Sequence, residues 1–203
     1  MGNSVTENEK IIAASTILQE LHDRAPTDKF TLNWLMGNLQ KQSFGLIMLL
    51  LAFAAVAPGI SVVAGLLLLI PACQMIIGRP SPVFPRWISE RPLQTRHLRA
   101  VIERAVPILL RVEKVVRPRH PTPPQATKII VGVCAALLSL RLLLVPLPLS
   151  NVLPAVVIAL NALAYLEGDG VVLSLGLLAG FIMLALDVGA MLQLLHGAQF
   201  KFL

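Results

Sequence analysis

Charged residues are scarce in this chain: they make up 14% of its 203 residues, whereas hydrophobic residues make up 56%. An ordinary soluble domain has about 25% charged and about 45–50% apolar residues. The shortage is also uneven, because the 34 residues 44–77 contain no charge at all. This composition excludes an ordinary soluble domain and predicts an integral membrane protein.

Cysteine is similarly rare, and its rarity excludes several kinds of site. The two cysteines, Cys73 and Cys134, both lie in apolar runs, where a small buried side chain is expected. Neither a disulfide framework nor a metal-ligand spacing occurs, so no metal ion and no cofactor are predicted. The chain also lacks a Walker A loop, an HExxH motif and a nucleophile elbow, so no catalytic residue is predicted. Residues 1–30 lack the apolar segment of a cleaved signal peptide.

Long apolar runs divide the chain into membrane and non-membrane parts. The predicted parts are N-terminal amphipathic helices on the cytoplasmic side (1–43), a first membrane repeat (44–77), a basic cytoplasmic loop with an amphipathic helix at 95–117 (78–128), a second membrane repeat (129–166) and a final membrane segment (171–195).

The loop at 78–128 carries most of the positive charge, with eleven bases and three acids. A short basic loop between membrane segments stays in the cytoplasm, which sets the predicted orientation. Anionic lipid head groups are the expected partners of these bases. Because the loop is held between membrane segments, nucleic acid is not expected as a partner.

Prolines interrupt both membrane repeats. The first repeat is broken at 57–61, around Pro58 and Gly59, and the second at 146–151, around Pro148. A shift of 90 residues places Pro58 on Pro148 and preserves the order of helix, proline break, helix and glycine turn. We therefore predict two related, proline-broken helical hairpins. Two interpretations of the breaks are open: tight turns at the far membrane face, or broken helices that meet within the bilayer around a transport-type cavity.

Few polar residues lie inside or beside the apolar runs. Gln74 and Asn161 are expected to hydrogen-bond to neighbouring helices. Arg141 lies near the end of its run, so it either extends to the head groups or takes part in function. Glu167 and Asp169 are close enough in sequence for general acid–base catalysis, but the glycines beside Asp169 also suit a turn in which this residue caps the next helix.

Four short motifs accompany the two repeats: Pro-Gly-Ile-Ser at 58–61, Arg-Pro directly after Gly78, Pro-Leu-Ser-Asn at 148–151, and Asp-Gly at 169–170. With the apolar sequence around them, they resemble the ExoD family of bacterial membrane proteins over about residues 32–195. The resemblance implies a role in exopolysaccharide synthesis or export in the cytoplasmic membrane. It implies no catalytic residue.

Together these observations predict an all-α, polytopic helical membrane protein of the bacterial inner membrane, with a homodimer expected from small residues on its membrane segments. The leading hypothesis is a non-enzymatic, transporter-like part in exopolysaccharide synthesis or export. Two alternatives are open: a membrane enzyme acting on a lipid-linked sugar or phosphate intermediate through Glu167 and Asp169, and a scaffold that binds polysaccharide-synthesis enzymes through the helix at 95–117. The residues predicted to form a binding site for phosphate or an acidic sugar are Pro58, Gly59, Ser61, Arg79, Arg141, Pro148, Ser150 and Asn151.

Overall fold

The structure is mostly helical, as the sequence predicts. This computed structural model describes residues 14–39, 43–56, 61–112, 114, 124–144 and 151–199. In these ranges the elements are α1 (Ala14–Arg24), β1 (Lys29–Phe30), α2 (Leu32–Asn38), α3 (Ser43–Ala55), α4 (Ser61–Ile76), α5 (Arg86–Ser89), β2 (Leu93–Gln94), α6 (Thr95–Val112), α7 (Pro124–Leu144), α8 (Val152–Glu167) and α9 (Gly170–Gln199).

Four apolar helices form the centre of the fold. α3 packs against α4 and α8, and α7 packs against the same two helices, so the four close into a ring. α6 also packs against α3. The consecutive residues Leu46, Ile47, Met48 and Leu49 of α3 are all buried, which shows that this helix is enclosed on every side. A helix in that position needs no polar face, and the sequence of α3 has none.

Close contacts show that helices packed side by side in the ring run antiparallel. Gly132, early in α7, lies so near the last turns of α4 that a Cβ atom on it would sit 2.9 Å from the Ala72 carbonyl oxygen. Gly45, early in α3, lies against Leu166 near the end of α8. α4 is therefore antiparallel to α7, and α3 is antiparallel to α8.

A contact between Lys128 and Phe44 identifies the two ends of the ring. The Lys128 amino group lies 4.7 Å from the centre of the Phe44 ring, so α7 and α3 begin at the same end. Because their partners run antiparallel, α4 and α8 both finish there; we call this the loop end. α4 and α8 both start at the opposite end, which we call the break end.

α9 lies outside the ring, against α8 and α7. Two helical segments in the described ranges are long and apolar enough to cross a membrane, Gln125–Leu144 and Gly170–Ala190. α3, α4 and α8 are apolar but shorter, at 13, 16 and 16 residues. At 1.5 Å per residue they reach about 20–24 Å, less than a hydrocarbon core of about 30 Å.

The N-terminal residues and the basic loop form a second layer. α1 packs against α6, α2 packs against α5, and β1 pairs antiparallel with β2. The apolar stripe of α6 is buried at Leu98, Ile102, Ala105 and Leu109. The two-residue strands and α5 had no signal in the sequence, because the strands are too short to show a period and α5 lies in a proline-rich stretch.

Three helix bounds can be set beside the predicted parts. α6 extends from Thr95 to Val112 and Lys114 lies in a turn, while residues 113 and 115–117 of the helix predicted at 95–117 lie outside the described residues. α7 begins at Pro124, before the apolar run, because proline suits the first position of a helix. α9 continues to Gln199, past the predicted limit of 195. Residues 57–60 and 145–150, which include most of the breaks predicted at 57–61 and 146–151, lie outside the described residues, so the predicted relationship between the repeats remains a prediction.

Candidate functional site

Two of the predicted site residues lie at the break end of the ring. Ser61 is the first residue of α4 and Asn151 directly precedes α8, and both side chains are buried. The shift of 90 residues that relates the two repeats places Ser61 on Asn151. Pro58, Gly59, Pro148 and Ser150 lie outside the described residues.

Asn151 is buried without a hydrogen bond to its side chain. The residue is 1% exposed, and neither the Nδ2 nor the Oδ1 atom has a partner among the residues that the structure describes. Its backbone oxygen accepts a bond from Ala155 at 3.3 Å, which begins α8. A buried polar group left without a partner costs about 1–3 kcal/mol, so both ends of this amide remain available for a ligand.

The starts of α4 and α8 add polarity to the same end. The first backbone N–H groups of a helix have no partner within it, and they carry the positive end of the helix dipole. Such helix starts favour phosphate and carboxylate groups. The break end therefore combines two helix starts with the orphaned amide of Asn151.

Arg141 lies near the break end but faces away from α4. Its Nε atom donates to the carboxylate of Asp187 on α9, and its side chain is 15% exposed. The next residue, Leu142, is the one that faces α4, 3.1 Å from where a Cβ atom on Gly65 would lie. Neighbouring positions on a helix point about 100° apart, so Arg141 is directed toward α9, away from Ser61.

Arg79 lies at the other end of the ring. It follows the last turn of α4, and its carbonyl oxygen accepts a hydrogen bond from Lys128 in the first turn of α7. The 16 residues of α4 separate it from Ser61 by about 24 Å. The structure therefore does not bring Arg79 together with Ser61 and Asn151.

Asp169 caps α9 at the loop end. Its Oδ1 atom accepts hydrogen bonds from the backbone N–H groups of Val171 at 2.9 Å and Val172 at 3.1 Å. Gly168 closes α8 in a left-handed conformation, with φ of 67°, and the Asp169 N–H donates to the Ala164 oxygen at 3.0 Å. This is the turn that the glycines beside Asp169 favour. Glu167 ends α8 beside it.

Gln74 binds the loop after α4, whereas the sequence interpretation was a bond to a neighbouring helix. Its Nε2 atom donates to the Val83 carbonyl oxygen at 2.5 Å, and its Oε1 atom accepts from the Val83 N–H at 2.7 Å. Asn161 does reach a neighbouring helix, because its Nδ2 atom lies 3.9 Å from the Cys134 sulfur on α7. No local pattern distinguishes these two kinds of partner.

In the described ranges, no three His, Cys, Asp or Glu side chains lie close enough together to hold a metal ion. The pairing of Arg141 with Asp187 was not predicted from the sequence. The signal was present, since each is an isolated charge in an apolar helix and such charges usually pair.

Comparison with known proteins identifies relatives over most of the chain. A family model described as "Exopolysaccharide synthesis, ExoD" matches residues 14–189, which confirms the resemblance found in the motifs. An uncharacterized protein of Synechocystis sp. (strain ATCC 27184 / PCC 6803 / Kazusa) is 25% identical over 181 residues, covering 86% of this chain and 84% of that protein. No solved structure matches this chain.

Proposed function

The chain belongs to the ExoD family, and on this premise we propose that it is a multi-pass protein of the bacterial cytoplasmic membrane with a non-enzymatic, transporter-like part in exopolysaccharide synthesis or export. Membership of the family implies the process, exopolysaccharide synthesis. The proposed molecular part is to bind a polar group of a polysaccharide intermediate at the break end, between the starts of α4 and α8.

The observation that carries this proposal is the orphaned amide of Asn151. A sugar hydroxyl both donates and accepts, so one hydroxyl or two neighbouring ones would satisfy Oδ1 and Nδ2 together. A phosphate oxygen would accept from Nδ2, with further bonds from the free N–H groups at the helix starts. Either group belongs to the chemistry of a lipid-linked sugar or an acidic polymer.

The packing of the ring supports a site built from two related units. If α3 is exchanged with α7 and α4 with α8, the same pairs of helices remain packed together. The pair of α3 and α8 becomes the pair of α7 and α4, and the pair of α3 and α4 becomes the pair of α7 and α8. Two copies of one unit would have this pattern if they were related by a twofold axis that runs through the centre of the ring, parallel to the helices. Such an axis would give Ser61 and Asn151 equivalent places at the break end.

The two alternative functions have less support from the geometry. An acid–base enzyme would use Glu167 and Asp169, but Asp169 is occupied in capping α9, at the end of the ring opposite to Asn151. A scaffold would use the apolar stripe of α6, but that stripe is buried in the structure. The proposal therefore assigns the site to the break end.

The decisive experiment replaces Asn151 with alanine and measures both polymer output and stability. The bacterium would lack its own copy of the gene and carry N151A or the unaltered gene. Because the substitution removes two buried polar atoms that have no partner, the purified variant should unfold at the same temperature or a higher one. Polymer output should nevertheless fall severalfold, since the ligand loses its contacts.

A matched control is Asn161→Ala, which removes another buried amide from α8, toward the loop end from Asn151. It should leave polymer output close to that of the unaltered protein. Full output from N151A would contradict the proposed site. A lower unfolding temperature for N151A would also contradict it, because Asn151 would then be structural.

A further inference from the structure

The proline-rich segment 77–91 after α4 is held in place from two sides at the loop end. Gln74, in the last turns of α4, makes two hydrogen bonds to the backbone of Val83. Lys128, in the first turn of α7, donates to the Arg79 carbonyl oxygen. Three prolines between Arg79 and Arg86 restrict the backbone further. The segment therefore keeps a set shape where two apolar helices end.

Three large apolar side chains on this segment are exposed to solvent. Ile77 is 75% exposed, Val83 49% and Trp87 67%. Phe84, by contrast, is buried. Tryptophan is enriched where a membrane meets water, because its ring is apolar and its N–H group is polar. The exposed surface has the composition of a membrane interface.

Three arginines accompany these apolar side chains. Arg79, Arg86 and Arg91 are exposed, and Glu90 is the one acid in this segment. Arginine binds phosphate through two parallel hydrogen bonds, and its charge is permanent. The apolar side chains of this segment can enter a bilayer, and its arginines can bind phosphates at the bilayer surface. Both properties fit an anionic phospholipid as the ligand.

We propose that residues 77–91 form a binding surface for the head groups of anionic phospholipids, with Trp87 inserted between lipids and Arg79, Arg86 and Arg91 on their phosphates. This surface is distinct from the proposed polysaccharide site, which lies at the other end of the ring. It assigns Arg79 to the lipid partners predicted for the basic loop and removes it from the predicted polysaccharide site, and it would hold the second layer of the fold against the membrane.

The chain has two tryptophans, Trp34 and Trp87, and this allows a direct test. The W34F variant, in which Trp87 is the sole tryptophan, is reconstituted into vesicles of equal parts phosphatidylcholine and phosphatidylglycerol. Bromine is placed near the head-group end of the acyl chains of one lipid or the other. An attraction of about 1 kcal/mol between one arginine and an anionic head group corresponds to a local preference on the order of fivefold for the anionic lipid. Brominated phosphatidylglycerol should therefore quench Trp87 fluorescence severalfold more strongly than brominated phosphatidylcholine.

Three further variants identify the cause of the preference. W87F retains the half-buried Trp34, whose quenching should not depend on which lipid is brominated. In the W34F background, R79Q/R86Q/R91Q should remove the excess quenching by phosphatidylglycerol, whereas R96Q/R104Q/R111Q, with the same change of charge on α6, should retain it. Equal quenching of Trp87 by the two lipids, or none, would overturn the proposal, and this comparison needs only the W34F protein. An excess that survives R79Q/R86Q/R91Q would overturn the role of the arginines.

Discussion

Arg141 Nε on α7 donates a hydrogen bond to the carboxylate of Asp187 on α9, so two charges in the apolar part of the fold neutralise each other. They lie 46 residues apart in the chain and meet near the break end. The Asp187 side chain is 41% exposed, and that of Arg141 is 15% exposed. The pair therefore joins the outer helix α9 to the ring, whereas the buried side chain of Asn151, also at the break end, has no partner among the described residues.

Removing either charge of this pair should destabilise the protein by about 1–3 kcal/mol. Fully buried pairs lose about 3–5 kcal/mol when one partner is removed, and exposed pairs about 0–1 kcal/mol, and this pair lies between them. R141A, D187A and the double variant would be compared by thermal unfolding in detergent. The double variant should be about as stable as either single variant, and the exchange R141D/D187R should recover part of the loss.

The pair formed by Arg24 and Glu20 on α1 is a suitable control for that measurement. Their atoms lie 3.5 Å apart and both side chains are more than half exposed. R24A should change the unfolding free energy by about 0.5 kcal/mol or less. If the effects of R141A and D187A simply add in the double variant, the two residues are not coupled.

Two glycines four residues apart let α9 approach the ring. A Cβ atom on Gly176 would lie 2.5 Å from Asn161 Oδ1, and one on Gly180 would lie 2.8 Å from the Cys134 sulfur. Substitution of either glycine by alanine should destabilise the fold by about 1–3 kcal/mol through overpacking. Thermal unfolding should also show partial recovery when the opposing side chain is shortened, in G176A/N161A and G180A/C134A.

Gly189, on the same helix, provides the comparison for these substitutions. Among the described residues, no atom beyond its chain neighbours and its own helix backbone lies within 4 Å of the position its Cβ would take. G189A should be neutral or stabilising by about 0.5–1 kcal/mol, because alanine favours a helix more than glycine does. Equal losses in G176A and G189A would contradict close packing at Gly176.

Gln74→Ala should release the loop that follows α4. The substitution leaves the N–H and carbonyl groups of Val83 without their partners, which should cost about 1–3 kcal/mol. Trypsin does not cut before proline, so it spares the bonds after Arg79 and Arg91 and cuts after Arg86. Cleavage after Arg86 should therefore be several times faster in Q74A. Q19A, at an exposed glutamine of α1, should leave the rate unchanged; equal rates in Q74A would refute the anchoring role.

Asp169 should tolerate asparagine but not alanine. Asparagine caps a helix about as well as aspartate, whereas alanine cannot accept the bonds from Val171 and Val172. D169A should lose about 0.5–2 kcal/mol of stability in thermal unfolding, and D169N much less. The E167Q/D169N variant should retain full polymer output, because the carboxylates are not expected to act as acid and base. Loss of output in a folded E167Q/D169N protein would restore the enzyme hypothesis.

Local signals account for the parts of the fold that were predicted correctly. The uncharged run at 44–77 predicted apolar helices, and α3 and α4 account for most of it, while residues 57–60 of the predicted break lie outside the described residues. The alternation of glycine and acid at 167–170 favoured the turn that Asp169 caps. α5, the β1–β2 pair and the early start of α7 were not predicted, because each is shorter than the window in which a periodic pattern can be recognised.

The sequence by itself determined the helical class, the apolar lengths and the family, since all of these depend on neighbouring residues or on short motifs. Only the tertiary structure decided that Arg141 pairs with Asp187, that Gln74 holds Val83, that Arg79 lies at the end of the ring opposite to Ser61, and that Asn151 has no partner among the described residues. These outcomes join residues nine to 46 positions apart in the chain, or describe the surroundings of one side chain. They depend on which helices pack together and in which direction, and apolar helices with almost no polar face carry no local pattern that specifies either.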